Sequence, residues 1–197
     1  MKKIFTLFTI FFLTTTISFA QVQIGPTAGL NMSNITGSDL GESKSKMGMH
    51  LGLSANFYFS DAMSLNTGLL YSIKGAQDED EGAELTATLS YIEIPVNLSF
   101  SLSDQLSLMV GPYIGLLMAA EIEISGTGLF DGTIDMKDDT RSMDYGISLG
   151  ARFSVVENIS INAGYQIGLA TLDPEGSGDD KNSNILFGVT YLFGDSY

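Results

Sequence analysis

Large apolar residues alternate with small or polar ones along most of the chain, and this period of two constrains the fold more than any other feature. In 47–59 and in 143–153, the odd positions are apolar and the even positions are small or polar. A period of two over ten or more residues predicts a β-strand whose two faces differ. Eight segments follow the pattern: 22–33, 47–59, 64–76, 85–100, 106–119, 142–154, 159–170 and 184–194.

The connections between these segments also alternate in length. Such sorting is typical of outer-membrane barrels, which have short periplasmic turns and longer extracellular loops. The sequence therefore predicts an all-β fold, an eight-stranded antiparallel up-and-down transmembrane β-barrel. The predicted short turns are 60–63, 101–105 and 155–158, and the predicted loops are 34–46, 77–84, 120–141 and 171–183.

The two faces of the segments indicate lipid outside and a narrow interior. The face of larger side chains carries no charged residue, and a charge there would cost ~2–4 kcal/mol at the middle of a bilayer. A soluble lipocalin-like barrel would have the opposite arrangement, with large apolar residues inside and charge outside. The other face carries twelve glycines: Gly25, Gly29, Gly48, Gly52, Gly68, Gly111, Gly115, Gly146, Gly150, Gly164, Gly168 and Gly188.

The fourth segment departs from the regular alternation. Its apolar residues occupy odd positions from Leu85 to Leu89 and even positions from Ile92 to Val96. A β-bulge near Ser90 and Tyr91 would keep all of them on one face, so we expect one there.

The first twenty residues predict a cleaved signal peptide rather than part of the fold. Lys2 and Lys3 precede an apolar run, and Ser18 and Ala20 match the small residues at a signal peptidase site. Residues 21–197 would then form one barrel domain in the outer membrane. This mature part has 7 basic and 23 acidic residues, which excludes a nucleic-acid partner by charge, and the chain has no cysteine for a disulfide or a zinc–cysteine site.

Five titratable residues take the inward register, and we interpret them as a charge network that plugs the lumen: His50, Lys74, Glu93, Asp144 and Arg152. Charges inside a narrow barrel must find partners because the interior has a low dielectric constant. The positions along the strands predict that Glu93 pairs with Arg152, directly or through neighbouring asparagines, and that Lys74 pairs with Asp144 near His50. A proton or ion path is the functional alternative.

The same residues predict no catalytic, cofactor or metal site. His50 is the only histidine, and a barrel hydrolase would need it beside a serine and an acid such as Ser38 and Asp39. No nucleophile motif accompanies these residues. A calcium-loop-like stretch begins at Asp173 but has Asn184 at its twelfth position, where a glutamate is required.

The four predicted loops are acidic, with seventeen Asp and Glu against five Lys and Arg. Solvated loops often carry such charge. The alternatives are divalent-cation bridging to lipopolysaccharide and attraction of a basic protein partner.

Short motifs along the mature chain resemble the PorT-type outer membrane β-barrel family of Gram-negative bacteria. The resemblance implies a small integral barrel without a defined activity, and the namesake of the family assists a protein secretion pathway. The leading function is therefore a non-enzymatic surface or scaffold barrel. The alternatives are a transport or secretion accessory, porin-like or part of a secretion pathway, and, less favoured, a membrane-embedded enzyme. The motifs are Gly29-Leu30-Asn31, Tyr91-Ile92-Glu93-Ile94-Pro95-Val96, Gly111-Pro112-Tyr113-Ile114-Gly115, Asp144-Tyr145-Gly146, Gly150-Ala151 and Tyr191-Leu192-Phe193.

Overall fold

The computed structural model describes residues 21–37, 44–80, 83–126, 131–175 and 178–194. The predicted signal segment 1–20, together with Ser38 and Asp39, lies outside the described residues. No described residue belongs to a helix long and apolar enough to cross a membrane. The strands are β1 (Gln21–Thr36), β2 (Lys44–Ser60), β3 (Met63–Asp80), β4 (Ala83–Ser101), β5 (Leu106–Ser125), β6 (Gly132–Asp135), β7 (Met143–Val156), β8 (Ile159–Gly168) and β9 (Lys181–Tyr191).

Eight of these described strands form one closed antiparallel ring. Each pairs with its neighbour in the chain, β5 pairs with β7, and β9 returns to pair with β1. The pairing of β4 with β5 completes the ring. The predicted eight-stranded up-and-down barrel is therefore confirmed. The short strand β6 stands outside this ring and pairs with the far end of β5.

The barrel has a turn end and a loop end. The turn end holds the connections 61–62, 102–105 and 157–158, and the loop end holds the connections that follow β1, β3, β5 and β8. All four predicted loops were wrong in extent: 34–46 includes the end of β1 and the start of β2, 77–84 lies mostly within β3 and β4, 120–141 contains the end of β5 and all of β6, and 171–183 includes the start of β9. Backbone pairing does not require lipid, so these strands continue as a ladder beyond the apolar band.

The alternation places apolar side chains outside and polar ones inside. Leu51, Leu149 and Phe187 lie on the outer surface and are 48–56% exposed. Their inward neighbours on the same strands include His50, Ser148 and Gly188. An outer-membrane barrel has this polarity because its outer face meets acyl chains.

A register shift is present at the predicted position near Ser90 and Tyr91, but the prediction of a bulge within β4 was wrong because the bulge lies on β5. The register between β4 and β5 shifts at Ser90 and Tyr91, and the additional residue is Met118 on β5. β4 itself keeps its facing, so Leu89 lies on the inner side opposite Lys74 and is 5% exposed. Above the shift the outer positions Glu84, Thr86 and Thr88 are polar. In this part of β4 the polar residues face outward and the apolar residues face inward, because the strands there extend beyond the lipid.

Several inward glycines lie where the wall leaves no space for a side chain. A Cβ on Gly25 or Gly52 would strike the carbonyl oxygen of the neighbouring strand. Other glycines make room for a large inward neighbour: a Cβ on Gly188 would lie 2.9 Å from His50 Nε2, and one on Gly146 would lie 2.8 Å from the ring of Tyr113. The glycine pattern therefore reflects close approach between strands as well as a narrow lumen.

Candidate functional site: the barrel interior

An ionic cluster of three side chains crosses the loop-end half of the lumen. Lys74 of β3 lies between Glu93 of β4 and Asp144 of β7: its Nζ is 2.6 Å from Glu93 Oε2 and 3.6 Å from Asp144 Oδ2. All three side chains are at most 2% exposed. One ammonium thus faces two carboxylates, which we call the lumen triad.

Two tyrosines and an asparagine surround the triad. Lys74 Nζ lies 4.5 Å from the ring centroid of Tyr113 and 5.6 Å from that of Tyr91, within range of cation–π attraction. The amide of Asn182 donates to both Asp144 Oδ2 and the Tyr91 hydroxyl, each at 3.2 Å. The Tyr113 hydroxyl donates to Asp144 Oδ2 at 3.4 Å. These groups fill the cross-section around the cation.

The predicted contact between Lys74 and Asp144 is present, but the predicted pair of Glu93 with Arg152 was wrong. Glu93 Oε2 contacts Lys74, and Glu93 Oε1 accepts a hydrogen bond from Gln166. Arg152 lies closer to the turn end, directly opposite Asn162, and its Nε donates to Asn162 Oδ1 at 2.9 Å. The two predicted partners therefore occupy different levels of the barrel.

His50 is held beside the triad in a separate hydrogen-bonded group. Its Nδ1 is 2.8 Å from Asn31 Oδ1, and the Asn31 amide donates to Ser72 Oγ at 3.0 Å and to the carbonyl of Ile73 at 2.9 Å. The imidazole packs against Gly29 and Gly188. His50 thus bridges polar groups across three strands.

A cavity of about 120 Å³ occupies the middle and turn-end part of the lumen, on the other side of Glu93 from Lys74. Short polar side chains dominate the wall of this cavity, whereas tyrosines line the loop-end half of the lumen. We call this cavity the turn-end chamber. Its lining includes Thr27, Asn66, Asn97, Arg152, Asn162 and Gln166.

A small apolar cap closes the loop end above the triad. Its buried members are Leu89, Tyr91, Leu117 and Ala120, and the side chains that pack on them are Ile35 of β1 and Met136 and Leu172 of two loops. Arg141 joins these two loops: its Nε donates to the carbonyl of Thr171 at 2.8 Å and its Nη2 to that of Asp173 at 2.9 Å.

A family model described as the outer membrane protein beta-barrel domain matches residues 19–173. The chain belongs to this family. Its members are β-barrels of the outer membrane, so the apolar outer face meets lipid. By the general rule for such barrels, the turn end faces the periplasm and the loop end faces outward.

Solved structures share the barrel fold at low sequence identity. Neisserial surface protein A is 16% identical with a TM-score of 0.60, and the match covers 88% of this chain and 99% of that one. Ail, the attachment invasion locus protein of Yersinia pestis, was solved in complex with the heparin analogue sucrose octasulfate. It is 16% identical with a TM-score of 0.52 and the same coverage. No curated protein matches the chain.

In this outer membrane barrel, sequence reasoning found the charged members of the interior but missed the groups that position them. Tyr113 has the inward register and was visible as such, whereas Tyr91 was hidden by the irregular alternation of β4. Asn182 lies in a stretch predicted as loop, although β9 begins at Lys181. The predicted start of β9 was three residues too far along the chain, so Asn182 was not recognised as an inward-facing strand residue.

Proposed function

We propose that this chain is a non-enzymatic surface barrel that does not conduct and whose loop end contacts other molecules. The observation that carries the proposal is the burial of the lumen triad, with Lys74, Glu93 and Asp144 at most 2% exposed. A water-filled pore would leave such charges hydrated. Tyr91 and Tyr113, 0% and 1% exposed, add to the barrier.

The proposal includes export and lipid contacts. Residues 1–20 act as a signal peptide cleaved after Ala20, and residues 21–197 form the mature barrel. The outer surface then contacts outer-membrane lipid and lipopolysaccharide.

We propose a basic protein as the partner at the loop end. Asp78, Glu84, Glu121 and Glu123 are exposed beyond the apolar band. Negative potential in this region would attract a positively charged surface and repel polyanions. Ail, by contrast, was crystallised with a polyanion.

Conductance of the purified mature barrel in planar bilayers tests the closed lumen. We expect no channel steps from the native chain. Steps should occur in a variant with Lys74→Ser, Glu93→Ser and Asp144→Ser, which replaces the triad by small neutral side chains. Native steps as large as those of this variant would contradict the proposal. They would favour the alternative of a transport or secretion accessory.

Binding of fluorescent polylysine and of sucrose octasulfate to intact expressing cells tests the partner class. We expect polylysine to bind and sucrose octasulfate not to bind. Neutralising four exposed loop-end carboxylates should reduce polylysine binding, whereas neutralising carboxylates in the turns should not, because those face the periplasm. Equal effects of both sets would contradict the proposal. The loop-end set is Asp78→Asn, Glu84→Gln, Glu121→Gln and Glu123→Gln, and the turn-end control set is Asp61→Asn, Asp104→Asn and Glu157→Gln.

A further inference from the structure

The turn-end chamber contains a cation whose donors are mostly unused. A guanidinium carries five N–H donors, and the hydrogen bond of the Arg152 guanidinium within the described residues is the one from Nε to Asn162. No carboxylate of the described residues lies within ion-pair distance of Arg152, whereas Lys74 has two. The terminal amino groups of Arg152 are therefore available in the cavity that this side chain lines.

The wall of the chamber also holds a buried acceptor without a donor. Asn66 is 5% exposed, its amide nitrogen donates to Ser64 Oγ at 3.3 Å, and its Oδ1 has no partner in the described part of the chain. A buried oxygen without a donor destabilises the fold, so a donor in the chamber would stabilise the barrel.

The space is sufficient for a small polyatomic ion. A cavity that holds one water needs a volume of roughly 10–15 Å³. The volume of the chamber is about 120 Å³. Tyr58 and Arg152 are both half-buried near the turn end.

We propose that the turn-end chamber binds a small oxyanion that also carries a hydroxyl group, of the class represented by inorganic phosphate. Anionic oxygens of the ligand accept from the terminal amino groups of Arg152, whose planar fork matches phosphate geometry. The P–OH group donates to Asn66 Oδ1 once the Asn66 amide, held by a 3.3 Å hydrogen bond to Ser64, rotates toward the chamber. A chloride or a carboxylate would satisfy the arginine but not the asparagine.

The carboxylate of Glu93 also lines the chamber, and it opposes an anion there. Both of its oxygens are already engaged, one by Lys74 at 2.6 Å and the other by Gln166. The bound anion therefore belongs at the Arg152 end, away from the triad. The Asn97 Oδ1 accepts a hydrogen bond from Ser148. The Asn97 amide nitrogen is therefore another donor for the anion in the lining of the chamber.

Thermal unfolding of the refolded mature barrel in detergent, titrated with inorganic phosphate at constant ionic strength in chloride, tests the proposal. Ligand that binds the native state raises the Tm in a saturable way. We expect such a rise with phosphate and a smaller one with sulfate or acetate. Equal effects of phosphate, sulfate and acetate would overturn the hydroxyl requirement, and a Tm independent of phosphate would overturn the site.

Three variants locate the effect. Arg152→Met should weaken phosphate binding about tenfold or more, because it removes charge-assisted hydrogen bonds. Arg152→Lys, which keeps the charge and guards against misfolding, should weaken it less. Lys137→Met removes an exposed loop cation and should leave the phosphate dependence unchanged. An unchanged dependence in Arg152→Met, with ³¹P line broadening as an independent measure of binding, would overturn the assignment.

Discussion

The two halves of the barrel interior differ in how they handle charge, although the same eight strands build both. In the loop-end half, Lys74 has two carboxylate partners, and Tyr91 and Tyr113 fill the remaining space. In the turn-end half, Arg152 has one hydrogen bond in the described residues and borders the 120 Å³ chamber. Inward side-chain size and charge pairing, rather than strand number alone, therefore close an eight-stranded barrel.

The largest effect should come from removing the cation of the loop-end half. Lys74→Met leaves Glu93 and Asp144 buried without their counter-charge, which should lower the free energy of unfolding by about 3–5 kcal/mol. Urea unfolding in lipid vesicles measures this. A variant that adds Glu93→Gln and Asp144→Asn should recover much of the loss. A full loss in the triple variant would mean that side-chain packing, not charge pairing, holds this half together.

The sequence predicted correctly that the charged residues of the loop-end half face the lumen, because a period of two assigns each residue to one face of its strand. Lys74, Glu93 and Asp144 have the inward register, and each is buried. It could not predict the level at which each side chain meets the others, since that depends on the stagger between strands around the ring. Glu93 was therefore matched with Arg152, although Gln166 and Lys74 stand at its level.

Two glycines, one in each half, differ in their tolerance for an additional methyl group. A Cβ on Gly146, in the loop-end half, would lie 2.8 Å from Tyr113 and strike the carbonyl of Ile167. A Cβ on Gly164, beside the chamber, meets Leu149 O at 3.1 Å and the next atoms at 3.7 and 3.8 Å. Gly146→Ala should cost about 1–3 kcal/mol, the usual range for overpacking, and Gly164→Ala clearly less. Equal losses in urea unfolding would contradict the difference in packing.

The chamber itself could not be foreseen from the sequence. Inward Asn, Thr and Gly are visible in the alternation, but empty volume is set by which short side chains face one another across the ring. The exchange of polarity above Ser90 was missed for a related reason. The same alternation fits a bulge within β4 or a strand that leaves the lipid, and the residue that decides between them, Met118, lies on another strand.

A smaller effect should follow from loosening the cap over the loop-end half. Arg141→Gln removes the hydrogen bonds from its guanidinium to Thr171 and Asp173. We expect faster hydrogen exchange in 169–175 with a change of less than about 1 kcal/mol in the free energy of unfolding, because local opening need not involve the barrel. Lys137→Gln, on the same loop and exposed, is the control and should leave exchange unchanged. Unchanged exchange in Arg141→Gln would show that apolar packing alone holds the cap.

The smallest expected effect is the coupling between the two halves. Glu93 and Arg152 have different partners, so the losses from Glu93→Gln and Arg152→Met should add within about 0.3–0.5 kcal/mol. Glu93→Gln with Lys74→Met should instead show a coupling of roughly 0.5–3 kcal/mol, because those side chains are in contact. Both cycles are measured by urea unfolding in phosphate-free buffer, since an anion bound at Arg152 could transmit charge to Glu93. A coupling above about 1 kcal/mol between Glu93 and Arg152 under these conditions would make the interior a single network. If the two losses add without phosphate but are coupled when phosphate is present, the bound anion lies between the two halves. The anion would then couple the closed loop-end half to the turn-end half that contains the chamber.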